Sequence, residues 1–171
     1  MIGKKIRDAF NEQIQHETYS AYLYLSMVAY FHDRGFDGMA QWMRVQVMEE
    51  LTHAMKFFDH IMGRGGSVEL LAIEKPPKTW KSPLDAFKAA LKHEQFITGK
   101  INELTALSNA QKDFASQSML QWFVDEQVEE EANATKNVQM LEMVGDSGNG
   151  MLMLDRELGT RTFTAPAAPG E

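Results

Sequence analysis

Four stretches of this 171-residue chain place apolar side chains at alternating steps of three and four, and each stretch is broken near its middle by a carboxylate. The first reads Ile6, Phe10, Ile14, Glu17, Ala21, Tyr24, Val28, Phe31. The second reads Met39, Met43, Gln46, Glu50, His53, Phe57, Ile61. The third is Phe87, Leu91, Glu94, Ile97, Ile101, Leu104, and the fourth Leu120, Phe123, Gln127, Glu130, Ala134, Val138, Leu141. This spacing is that of helices buried along one stripe. A carboxylate on such a stripe is costly unless it is paired or ligated, and the interruptions lie too far from the helix ends for the side chains to reach bulk water easily.

The local signals set the order of elements. The first helix is predicted from about Lys4 to Asp33, where Arg34-Gly35-Phe36-Asp37-Gly38 breaks it, with Asp37 a candidate N-cap for the second. The second helix continues to about Met62 and stops at Gly63, Gly65 and Gly66. Ser82 as cap, Pro83 at the first helical position and Asp85 at the positive end of the dipole start a third helix, which runs to about Leu107. After a polar turn over Ser108–Lys112, a fourth helix runs to Gly145. The two tight connections join antiparallel neighbours. The segment from Gly65 to Ser82 has no helical periodicity and carries Pro76 and Pro77. Its roughly 18 residues can span up to about 60 Å when extended, against about 40 Å for a helix of some 27 residues. The second and third helices can therefore run parallel, joined by a crossover along the bundle. A short fifth helix, Met151 to Leu158, needs a docking surface because it is too short to stand alone. The expected fold is an all-α four-helix bundle with one long crossover between the second and third helices and a short fifth helix. Residues 1–160 would form its domain and residues 161–171, in a Pro-, Ala-, Thr- and Gly-rich stretch that begins at Gly159, a disordered tail.

Composition narrows the function. A net charge of −7 disfavours a nucleic-acid binder and suits a protein that attracts cations. The absence of cysteine removes disulfides, thiolate zinc sites, cysteine-held iron–sulfur clusters and c-type haem. No apolar run follows the charged start Met1–Asp8, and no stretch has the length and apolarity of a membrane span, so a cytoplasmic protein without a membrane partner is the simplest expectation.

Glu50 and His53 are three residues apart and share a helix face. Gln127 and Glu130 repeat that spacing, while Glu17 and Glu94 come singly from the other two helices. Single glutamates from two helices and Glu-x-x-His-type pairs from two more are the pattern of a two-metal carboxylate site in a bundle core. Oxygen ligands with one imidazole suit iron or manganese. Any one such residue has a bland reading, a misjudged register or a satisfied core histidine, but coincidence at similar depth on four helices favours the metal site. His16, His32, His60 and His93 lie off the stripes and read as surface residues. Tyr24, two turns beyond Glu17 on the same stripe, is placed to hydrogen-bond a ligand or supply an electron. Trp122 reads as core packing. Glu49, Glu126 and Glu129 flank the cluster, and their spacing alone is that of a solvated acidic face.

The segments Asn11–Ser20, Glu49-Glu50-Leu51-Thr52-His53, His93-Glu94-Gln95 and Leu120–Glu131 together resemble the ferritins, specifically the non-haem prokaryotic type, over nearly the whole chain from Lys4 to about Phe163. The resemblance implies a ferroxidase centre. Glu17, Glu50 and His53 would hold one iron. Glu50 would bridge to a second held by Glu94 and Glu130, with Gln127 close by and Tyr24 beside the centre. Glu49, Glu126 and Glu129, sharing Glu130, would form a third iron site. Fe(II) would be oxidised with dioxygen or hydrogen peroxide and stored as a ferric oxyhydroxide in a homo-oligomeric 24-subunit cage, the fifth helix supplying contacts at its axes. Haem is not expected. Where bacterioferritins carry Glu-x-x-His on the fourth helix this chain has Gln127-x-x-Glu130, and Leu51 stands where they hold a haem-ligating methionine. A di-iron oxidase of organic substrates and a non-catalytic metal buffer are the competing readings, and Glu50→Ala separates the buffer from the catalysts.

Overall fold

A computed structural model describes residues 1–164. Five helices follow in order: α1 (Lys4–His32), α2 (Asp37–Gly63), α3 (Pro83–Ala110), α4 (Phe114–Val144) and α5 (Gly148–Leu158). All stripe residues named above are buried except Leu91, which is partly so. α1 packs chiefly on α2, and α3 on α4, with α5 laid against α2 and α4.

Two apolar clusters fill the bundle. One joins the C-terminal half of α1 (Tyr24, Met27, Phe31) to the start of α2 (Met39, Met43), the start of α3 (Phe87) and the end of α4 (Leu141). The other joins the N-terminal half of α1 (Ile6, Phe10, Ile14) to the end of α2 (Phe57, Ile61), the end of α3 (Ile97, Ile101) and the start of α4 (Leu120, Phe123). Starts meeting starts and ends meeting ends make α2 and α3 parallel, as the long connection requires. The polar interruptions form a belt between the clusters.

The crossover is pinned along α1 in order. Asn11 Oδ1 accepts from the Glu69 amide at 3.1 Å, Gln15 Nε2 donates to the Ala72 carbonyl at 2.7 Å, and Ser26 Oγ donates to the Pro77 carbonyl at 2.6 Å. Trp80 then meets Tyr30 edge-on, ring centroids 5.1 Å apart. Each step up the loop is a step up the helix, so the extended segment lies alongside α1 and satisfies part of its backbone there.

Two helix starts differ in origin. At α3 the local reading holds: Ser82 Oγ accepts from the Asp85 amide at 3.1 Å and Pro83 occupies the first turn. At α2 it does not. Asp37 is the first helical residue, not the cap, and the residue before it, Phe36, provides no side-chain cap. The Gly38 and Met39 amides donate instead to Asp155 of α5, at 3.2 and 2.9 Å. The turn between α1 and α2 is closed by Gly35 at φ 75°, where a Cβ would be strained. α3 runs three residues beyond the expected Leu107, and α5 begins at Gly148, where Ser147 caps it, rather than at Met151. The expected tail lies partly in residues 165–171, outside the described residues. Arg161, beyond α5, is packed on α2.

Candidate metal centre

The belt between the clusters is built of ionisable groups with almost no solvent. Glu17 is 0% exposed, Glu50 1%, Glu94 2%, His53 3% and Glu130 4%. The helical stripes deliver them there, since each occupies a core position of its own helix.

Glu17, Glu50 and His53 each offer a ligand atom, and these atoms lie within 4.8 Å of one another. His53 Nδ1 is 3.3 Å from Glu50 Oε2. Glu17 Oε1 accepts from Gln13 Nε2 at 2.8 Å, whereas Glu17 Oε2 is buried with no hydrogen-bond partner among the described residues. A buried carboxylate oxygen without a donor is what a cation would satisfy. His53, Glu126 and Glu130 make a second group of the same compactness, with His53 Nε2 3.8 Å from Glu126 Oε1. Both groups share His53.

Glu94 belongs to neither group. Tyr24 donates its hydroxyl to Glu94 Oε1, and Gln127 Nε2 lies 3.3 Å from Glu94 Oε2 and 3.3 Å from Thr98 Oγ1. Tyr24 is thus fully buried with its hydroxyl spent on a candidate ligand. Glu130 Oε2 accepts from Gln46 Nε2 at 2.9 Å. The flanking acids are dispersed: Glu49 Oε2 pairs with Arg161 Nη2 at 2.7 Å, and Glu129 is exposed.

Crowding and burial shift the titration of the belt. Burial, reinforced by Glu50, pushes Glu17 up to about 8. Burial and the charge of Glu94 push Glu50 to about 7, and burial and Glu130 push Glu94 to about 8. Burial also raises Glu130. For His53 burial opposes a charge, but Glu126 and Glu50 outweigh it and raise the ring well above its usual value. Without a cation, the belt therefore holds protons in its place.

Three residues that complete this network were not singled out in the sequence as part of the site. Gln13 and Gln46 each stand four residues before a candidate ligand, Glu17 and Glu50. Gln46 was visible as a polar break in the second stripe, but its partner, Glu130, is on another helix. Arg161 gave no signal. Of the off-stripe histidines only His32 is exposed. His16 and His60 are half-buried, and His93 is bonded to Ser20 Oγ at 2.8 Å, its pKa lowered by burial to about 4. They sit in the grooves flanking the stripes rather than on the outer face. Trp122 does pack, its ring centroid 5.4 Å from that of His53 and the Lys56 ammonium 4.0 Å above it.

The Ferritin-like domain family matches residues 7–144. A bacterial non-heme ferritin of Staphylococcus aureus (strain MRSA252) is 37% identical over 163 residues, covering 95% of this chain and 98% of that protein. One from Bacteroides fragilis (strain 638R) is 41% identical over 161 residues, 94% of this chain and all of its own (100%). Among solved structures, the open-pore ferritin of the hyperthermophilic archaeon Archaeoglobus fulgidus superposes with a TM-score of 0.94 at 49% identity, covering 95% of this chain and 100% of its own. A closed form of the A. fulgidus ferritin, engineered by site-directed mutagenesis, gives 0.95 at 50% identity, covering 96% and 100%.

Proposed function

The chain belongs to the ferritin family, and on that premise we propose that it stores iron by oxidising Fe(II) at the buried belt and laying the ferric product down as an oxyhydroxide mineral inside a 24-subunit cage. The observation that carries this reading is the convergence of four buried glutamates and a histidine from four helices, one of the carboxylate oxygens having no hydrogen-bond donor among the described residues.

Glu17, Glu50 and His53 would take the first Fe(II). A second would be held by Glu94 and Glu130, with Glu50 turning to share it and Gln127 alongside. Tyr24 and Gln127 hold Glu94 in waiting, and their hydrogen bonds set the direction from which its oxygens meet the ion. Glu49, Glu126 and Glu129, with Glu130, would take a third ion. Gathering them requires Glu49 and Glu129 to move inward.

Each Fe(II) gives up one electron. Two electrons and two protons convert dioxygen to hydrogen peroxide, or hydrogen peroxide to two waters. The protons are at hand, because binding a dication to Glu17, Glu50 and Glu94 displaces those that burial retains there. The ionised carboxylates then favour the more highly charged ferric product. Carboxylates holding the ion through single oxygens can let it go, which storage needs and a resident metal cofactor does not.

The test is aerobic loading of metal-free protein with Fe(II), followed by size-exclusion chromatography with iron measured in the protein peak. Storage predicts a large assembly carrying far more iron per chain than the two or three ions the belt could ligate. Iron stopping at that number, in a small species, would overturn the mineral-storing reading. Glu50→Ala should slow the initial oxidation at least about 100-fold by removing the shared ligand, and unchanged turnover would sink the site assignment.

A further inference from the structure

Arg161 lies three residues past the end of α5, yet it is held on α2 at four points. Nη2 is 2.7 Å from Glu49 Oε2, and Nη1 donates to Gln46 Oε1. The guanidinium lies 4.4 Å over the Trp42 ring, and the Arg161 carbonyl accepts from Gln41 Nε2 at 3.3 Å. Gln46 in turn donates to Glu130 Oε2 at 2.9 Å. A fixed cation from the end of the chain is therefore one residue removed from the metal belt and in direct contact with Glu49.

We propose that Arg161 is the resident counter-cation of the acidic group Glu49, Glu126, Glu129 and Glu130, and that a third metal ion binds there only by displacing it, which releases the segment after α5 from α2. This rests on the reading of those four residues as a metal site.

In the present arrangement Glu49 spends an oxygen on the guanidinium, whose charge works against the burial that pushes the Glu49 carboxyl up to about 7. A dication ligated by Glu49 would stand within a few ångströms of that guanidinium, where two cations in a half-buried setting repel strongly. Arg161 side-chain exposure is 21% and that of Glu49 22%, so water screens the pair only in part. The bond to Gln46 carries the effect inward. As long as Arg161 holds the Gln46 carbonyl oxygen, the Gln46 amide faces Glu130, an oxygen donor the third ion would share with the second. A groove of 220 Å³ opens beside the guanidinium, lined by Trp42, Lys136, Asn137, Glu157 and Thr160 among others, so a displaced Arg161 would meet the Glu157 carboxylate there together with the Lys136 ammonium.

Zn(II), which has no redox chemistry, and Fe(II) under argon are the probes, titrated calorimetrically into the assembled metal-free protein. The stepwise affinities are read together with amide hydrogen exchange of residues 158–164. Arg161→Gln removes the charge but keeps a hydrogen-bonding amide, and Arg161→Lys keeps the charge. We expect the third-step affinity, relative to the first step, to rise about tenfold or more in Arg161→Gln, the scale of one lost charge-assisted contact. Arg161→Lys should stay near the native ratio. In the native protein, exchange of 158–164 should rise at the third step and not before. Glu49→Gln, which unpairs Arg161 without touching it, should free that segment in the absence of metal. Three ions bound with the third-step ratio unchanged or lowered in Arg161→Gln would overturn the competition while leaving the third site standing. If neither the native protein nor Arg161→Gln takes more than two ions, the four-carboxylate site fails, and the role of Arg161 fails with it.

Discussion

Glu17, Glu50 and Glu94 keep their protons at a pH where surface carboxylates have lost theirs, because ionising one of them in the belt means burying a charge beside others. The consequence for stability has a definite sign. Their pKa values are raised by folding from 4.5 to about 7 or 8, so between those limits the folded chain binds more protons than the unfolded chain. The free energy of unfolding then falls as pH rises. The contribution is complete below 4.5 and is lost as pH climbs through 7 and 8. His93, lowered to about 4, works in the opposite direction but only on the acid side of 6.5. Metal-free protein in chelator should thus lose melting temperature between pH 6.5 and 8.5, and saturating Zn(II) should flatten or reverse that slope. Scanning calorimetry reads both, and a metal-free melting temperature that rises over this window would remove the buried, protonated belt from consideration. The Tyr24 hydroxyl is fully buried on Glu94, so Tyr24→Phe leaves that carboxylate held by Gln127 alone and should slow Fe(II) oxidation about 10–100-fold without loss of folding. Stopped-flow absorbance beside a far-ultraviolet spectrum separates the two effects. The buried polar positions Glu17, Glu50, His53, Glu94, Gln127 and Glu130 were legible in sequence because each breaks a stripe whose period is known. The amides of Gln13 and Gln46 were less so, since which carboxylate a buried amide reaches depends on packing between side chains that periodicity does not describe.

Among the elements, α5 has a role out of proportion to its 11 residues. It supplies the cap that α2 lacks. Asp155, 8% exposed, accepts from two amides at the α2 N-terminus, and its charge also faces the positive end of the helix dipole. The approach is so close that a Cβ on Gly38 would fall 1.6 Å from the Asp155 carbonyl oxygen. Asp155→Ala should cost about 0.5–2 kcal/mol, as for other lost caps, and Asp155→Asn appreciably less. Gly38→Ala is expected to be the worse change, about 1–3 kcal/mol or more, because a backbone atom cannot swing aside. Thermal or denaturant unfolding measures all three, and a Gly38→Ala variant as stable as the parent would show that α5 is not seated as described. The contrast with α3 explains what the sequence could reveal. Ser82, Pro83 and Asp85 lie within one turn of the helix they start, so their pattern is read locally. The cap of α2 is 117 residues away at Gly38, and Asp37, the residue with the right chemistry in the right place, is simply the first residue of the helix. Arg161 escaped notice for the same reason: nothing around it in the chain hints at Glu49.

At the scale of the molecule, the belt divides what would otherwise be one continuous core into two apolar clusters. Each cluster is tightly built. Phe57, fully buried, stacks on Phe123 at 4.3 Å between centroids, and truncating such a ring to alanine costs about 3–5 kcal/mol. The belt between them is the reverse case. Its residues are buried, mutually repulsive when ionised, and only partly satisfied, which is a poor way to hold a bundle together and a good way to bind a cation. Gln13 and Glu17 isolate this trade. Both are buried, they bond each other at 2.8 Å, and the second oxygen of Glu17 has no partner among the described residues. Replacing both at once, as Gln13→Leu with Glu17→Met, removes donor and acceptor together and leaves neither stranded. The metal-free double variant should be more stable than the parent by about 1–4 kcal/mol, the range found when buried polar or ionic groups give way to apolar side chains of similar volume. The gain should be larger at pH 8.5 than at pH 6.5, because it removes a group whose ionisation the parent must tolerate. Zn(II) should then stabilise the variant far less than the parent, since one ligand of the first ion is gone. Chemical denaturation with and without metal tests the whole set. If the metal-free variant unfolds more readily than the parent, the belt contributes to stability in its own right, and its carboxylates are not a cost that only bound ions offset. If it is more stable and metal-insensitive, the carboxylates lower the stability of the metal-free bundle, and their place in its middle is explained by the ions they hold.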